Sequence, residues 1–214
     1  MSISNRLTNH FALAAVATAA VAATSNAAVV YSGIINFACN ADLDGAYINV
    51  ETGLMSNGPE SGVPGWDVNP YSTSGGMNFF NSTGGGQMRR EFIGSGTAGN
   101  LAVGTSIGST GSFNTTTGNV YGITSATGLA GGWTYSSDNI IGFKFVGADA
   151  LTHYGWMRFA MGAGGSTTVG ITRTVVDYGY ESTAATSILA GAVPAPGALA
   201  LLGLAGLATR RRRA

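Results

Sequence analysis

Glycine interrupts this chain too often for a long helix to survive in its central part. There are 34 glycines among 214 residues, and each one in a helix interior costs about 1 kcal/mol relative to alanine. The residues between them are aromatic and β-branched, which suits short strands joined by tight turns. Strand-like runs occur at 29–38, 46–50, 77–80 and 88–93, with a weaker one at 119–123. The clearest runs are 139–146, 154–161 and 168–180. Phe143 and Phe145 fall on one side of a strand, with Lys144 and Val146 opposite. Tyr154, Trp156 and Arg158 share one face, and Met157, Phe159 and Met161 share the other. Such alternation fits antiparallel strands packed on a core. The expected fold is all-β: an antiparallel β-sandwich or jelly-roll-like domain over residues 29–190, its glycines serving the turns. Residues 94–132 are low in complexity and read as edge strands and loops.

The two ends have a different character. Arg6 precedes an apolar stretch from Phe11 to Ala23, broken only by Thr18, and Ser25-Asn26-Ala27 follows with small residues. That order is the pattern of a secretory signal over residues 1–28, with cleavage expected after Ala27 or Ala28. At the other end stand Val193, Pro194, Ala195, Pro196 and Gly197, then an apolar run from Ala198 to Ala208 and the cluster Arg210, Arg211, Arg212 and Arg213. The prolines keep the chain extended and its backbone accessible. The apolar run from Ala192 to Thr209 reaches the lower edge of the roughly 17–25 residues that span a bilayer. The arginines would hold that end on the cytoplasmic side.

This three-part tail over residues 191–214 resembles the PEP-CTERM sorting signal. The middle residue of the motif is usually Glu in that family; Ala195 occupies the position here. The resemblance implies a signal peptidase and an exosortase-type transpeptidase as processing partners, with a transient inner-membrane intermediate. It also implies a final place on the cell surface or outside the cell, in company with exopolysaccharide. The domain would then be flanked by an N-terminal signal helix and a C-terminal transmembrane sorting helix. A second resemblance rests on Gly65 to Tyr71, Gly142 to Phe145, His153 to Arg158 and Asp177 to Glu181. These runs are similar to uncharacterised passenger domains of exported sorting-tail proteins, which implies an extracellular β-domain and no particular activity.

With leader and tail set aside, five basic residues face ten acidic ones, a net charge of −5. No basic footprint for nucleic acid is present. Cys39 is the one cysteine, so no internal disulfide can form, and a buried strand position suits it. His153 is the domain's only histidine, no Gly-x-Ser-x-Gly elbow is present, and one His with one Cys is too few for zinc. No cofactor is expected. Asp42 and Asp44 before Gly45 are a weak candidate for calcium, competing with an ordinary Asp-Gly turn.

Trp66, Tyr71, Trp133 and Tyr135 could stack on sugar rings if exposed, or fill the core if not. Asp67, Asp177 and Glu181 lie beside aromatics, as the acids of a glycan hydrolase can. The leading expectation is an exported, non-enzymatic surface or matrix protein. A carbohydrate-binding module acting on exopolysaccharide and an extracellular glycan hydrolase are the alternatives.

Overall fold

A computed structural model describes residues 28–71, 77–81, 86–113, 131–163 and 172–194. These residues form an all-β structure of antiparallel sheets. Its backbone is three long strands: β9 (Ser137–Val146), β10 (Thr152–Met161) and β11 (Arg173–Glu181). Two short strands, β1 (Val29–Tyr31) and β2 (Phe37–Cys39), both pair with β11, and β7 (Gln87–Met88) pairs with β9 on the far side. A second sheet runs in the order β4-β3-β5-β6, from β3 (Ala46–Ile48), β4 (Met55–Asn57), β5 (Val68–Tyr71) and β6 (Asn78–Asn81). A ribbon of β8 (Ser106–Ile107) and β12 (Ile188–Leu189) completes the described structure, with one 3-10 turn at Glu60–Gly62.

The long sheet is apolar on both faces at β9 and β10, which alternate two apolar sets. Ile141, Phe143, Phe145, Met157, Phe159 and Met161 enter one buried cluster with Ile48, Val68 and Phe79 of the second sheet. Ile140, Tyr154 and Trp156 point the other way and meet Ile107 and Ile188 of the ribbon, with Tyr31 and Ala192 packed alongside. The layers therefore run ribbon, long sheet, main core, second sheet.

A β-bulge sets the parity of β11. Arg158 pairs with Asp177, but the next residue, Phe159, pairs with Val175. Val176 is the extra residue, and its carbonyl receives the backbone N–H groups of Ile35 and Asn36. Val175 and Tyr178 thus both reach the main core although three residues apart. The same junction divides the expected strand 29–38 into β1 and β2, with Asn36 at φ 49° in the connection.

Several glycines lie inside strands rather than in turns. Gly155 pairs with Phe143, and Gly179 pairs with Trp156. A Cβ on Gly155 would lie 2.7 Å from Phe143 Cε2, and one on Gly179 would lie 2.9 Å from Trp156 Nε1. Each glycine leaves room for an aromatic ring of the neighbouring strand. The expectation that the glycines belong to turns is corrected at these positions.

Of the expected signal (1–28) and sorting tail (191–214), residues 1–27 and 195–214 lie outside the described residues, Ala195, Pro196 and Arg210 to Arg213 among them. Among the described residues no helix is long and apolar enough to cross a membrane. The weak strand at 119–123 also lies outside them, while the run 88–93 yields only β7 and isolated bridges at Arg89 and Arg90.

Candidate functional site

The second sheet turns Ala46, Ile48, Val68 and Phe79 to the core. By strand alternation Tyr47, Asn69, Tyr71 and Phe80 then face outward. These four line a half-open cleft of about 290 Å³, with Trp66 and Glu60 at its wall and Leu43 at its rim. Its rings meet at steep angles: Tyr47 with Trp66 at 70°, and Tyr71 with Phe80 at 71°. Trp66 is only 6% exposed, whereas Phe80 is 41% exposed. The arrangement encloses a small body and offers no flat aromatic platform.

Local bonds fix these walls. The Trp66 indole N–H donates to Glu60 Oε1 at 2.9 Å. Asn69 Nδ2 donates to the Asp44 and Ala46 carbonyls at 2.8 and 3.0 Å, so both amide hydrogens are committed and the acceptor Oδ1 is left. Gly45, at φ 65°, lets the entry to β3 press against β5: a Cβ there would lie 2.6 Å from Tyr71 Cα. The surroundings are negative. Partial burial raises the Tyr47 phenol pKa, and the charges of Asp44, Glu60 and Asp42 add to the rise. Among the described residues no Lys, Arg or His lines the cleft.

Two of the four candidate sugar contacts, Trp66 and Tyr71, come together here. The other two do not join them. Trp133 is 5% exposed, donates its indole N–H to the Ala98 carbonyl, and packs against Phe79 and Phe159 in the main core. Tyr135 lies partly buried against the same core. Trp133 belongs to the packing, and as a sugar contact it is corrected; Tyr135 lies outside the lining of this cleft. Tyr47 and Phe80 were missed. The signal for them was the alternation Ala46-Tyr47-Ile48 and the adjacent pair Phe79-Phe80, since two successive rings in a strand must face opposite ways.

Asp42 accepts from the Gly45 N–H at 2.6 Å and from Asn40 Nδ2 at 3.0 Å, the bonding of a turn carboxylate. Among the described residues no group of three or more His, Cys, Asp or Glu converges on a metal position. The candidate hydrolytic acids have separate structural attachments. Asp177 is buried, accepts from the Tyr31 hydroxyl at 2.9 Å, and lies 3.1 Å from Arg158 Nε as an ion pair. Glu181, also buried, accepts from the Thr183 N–H at 2.9 Å. Four residues along a strand separate these two by about 13 Å, more than the roughly 5–10 Å of a glycosidase pair. Asp67 accepts from the Val50 N–H at 2.9 Å, and burial pushes its pKa up to about 7.

His153 is buried between the Phe145 ring, the Glu181 carbonyl (2.9 Å from Nδ1) and Asp149 (3.2 Å from Nε2). Cys39 is buried in β2, where burial pushes its thiol pKa up to about 12. Neither offers an accessible nucleophile or base. Comparison with known families, curated proteins and solved structures finds no match.

Proposed function

We propose that this chain is an exported cell-surface or extracellular-matrix protein, non-enzymatic, whose β-domain is carried between two processing signals. The supporting observation is where the described strands lie relative to those signals. The first described strand opens at Val29, directly after the expected signal-peptidase site. At the other end Trp156 Nε1 donates to the Ala192 carbonyl at 3.0 Å, the last side-chain anchor among the described residues. Val193 is exposed. Cleavage at both expected points would leave every described strand intact. In this reading signal peptidase removes residues 1–28, and an exosortase-type transpeptidase acts near Val193 to Pro196. The Arg210 to Arg213 tail belongs only to the inner-membrane intermediate.

We further infer that the two main sheets stack as a β-sandwich of jelly-roll type, on the ground that their inward residues share one core. The separate attachments of Asp67, Asp177 and Glu181 weigh against the hydrolase alternative. The cleft at Trp66 and Tyr71 favours a binding role toward exopolysaccharide as the second reading.

Intact mass of the protein from its native host, with fractionation, tests the export reading. The expected product begins near Val29, ends near Pro194 to Pro196, and lies outside the inner membrane. A chain that keeps Arg210 to Arg213 in the inner membrane refutes it.

A further inference from the structure

The cleft on the outer face of the second sheet has a chemistry specific enough to select a ligand, and that ligand does not depend on how the chain is exported. We propose that it binds a protonated amino sugar, one pyranose ring bearing an ammonium group. Size sets the first limit. At about 290 Å³ the cleft lies at the bottom of the roughly 300–1,000 Å³ range of small-molecule sites. The rings of Tyr47 and Trp66, and of Tyr71 and Phe80, meet edge-on and offer no flat run of aromatic surface, which suits a single sugar ring. A long polymer face would need coplanar rings instead.

Charge sets the second limit. Glu60 lies in the wall, Asp42 and Asp44 are close enough to act on Tyr47, and no cation among the described residues lines the cleft. An anionic sugar is repelled, and a cation is drawn to carboxylate and aromatic faces together. Hydrogen bonding sets the third. Glu60 Oε1 is held by Trp66, which leaves Oε2 for the ammonium. Asn69 Oδ1 can accept from a sugar hydroxyl, and the Tyr47 and Tyr71 hydroxyls can donate or accept. A quaternary alkylammonium would leave these groups without partners, at the cost that unmet polar groups carry. A polyhydroxylated ring satisfies them and lays its C–H face on the aromatic side chains.

The test titrates the purified full-length protein in a mildly acidic buffer that keeps the amine protonated. The probes are glucosamine, N-acetylglucosamine, glucose and choline, read by tryptophan fluorescence and calorimetry. Saturable binding of glucosamine is expected, with the two uncharged sugars about ten-fold weaker, the size of one cation contact. Glu60→Gln keeps an oxygen that accepts from the Trp66 indole, so its melting temperature should match the wild type while the preference for the amine disappears. Phe80→Ala should abolish binding of every sugar, and circular dichroism reports whether that variant remains folded. Equal affinity for glucose and glucosamine, a preference unchanged in Glu60→Gln, tighter binding of choline, or no binding at all would each overturn the proposal.

Discussion

Asp67 should make this domain lose stability as the pH rises toward neutrality. Its side chain is 5% exposed, accepts one backbone bond from Val50, and has Glu51 as a further charge that disfavours ionisation. Burial is the largest cause, and it pushes the folded carboxyl up to about 7 from its ordinary value of 3.8. Between those two values the folded state keeps a proton that the unfolded chain releases. Stability from this group is therefore complete below about pH 4 and is lost as the pH climbs through the window to 7. At roughly 1.36 kcal/mol per unit, the loss amounts to about 4 kcal/mol. Asp67→Asn removes the titration while keeping an acceptor for Val50 and a donor in place of the carboxyl proton. Urea unfolding followed by tryptophan fluorescence, from acid to slightly alkaline pH, gives both stabilities. Subtracting one curve from the other cancels the groups the two proteins share. The variant should match the wild type in acid and exceed it by up to about 4 kcal/mol above neutrality, near 10 °C in melting temperature. A difference that does not vary with pH would show that Asp67 is already ionised in the fold, and the burial argument would fail.

Gly155→Ala places a Cβ 2.9 Å from the Gly179 carbonyl oxygen as well as against Phe143, and overpacking of that kind costs about 1–3 kcal/mol. Thermal denaturation should show the drop, and an unchanged melting temperature would mean that the ring is free to move aside. Arg158→Ala strips the cation from buried Asp177 and leaves only the Tyr31 hydroxyl. A loss of roughly 2–4 kcal/mol in urea unfolding is expected, and one below about 0.5 kcal/mol would place the pair with weak surface bridges. Cys39, with its thiol pKa near 12, should resist a thiol-reactive dye in the native protein and react fully in denaturant. Fast native labelling at mildly alkaline pH would contradict its burial.

The long strands were legible because period-two patterning is strongest where both faces are buried. Phe143, Phe145, Met157 and Phe159 all landed on the side that alternation assigned them. Short strands escaped notice. β4, β8 and β12 have two or three residues each, too few to show a period, and are held by their partners rather than by propensity. β5 contains Pro70, which argues against a strand, yet it pairs with β6 at every one of its residues. The bulge at Val176 depends on which backbone groups meet, and no local sequence signal marks it. The cleft was half visible: Trp66 and Tyr71 stood out as aromatics near turns, but their juxtaposition with Tyr47 and Phe80 follows from strand register. That register pairs β3 with β5 across 20 positions and β5 with β6 across 7 to 13. Contacts remote in sequence likewise hid the fate of Trp133, whose burial depends on Phe79 and Phe159.

The order of the layers governs how such a domain would be presented. Ala192, the last anchored residue among those described, sits on the ribbon side of the long sheet, while Tyr47 and Phe80 lie on the outward side of the second sheet. The main core stands between them. Any support that grips the chain through its carboxyl end therefore holds the domain by its back. The aromatic cleft then looks away from that support, and neighbours held the same way would all display it outward.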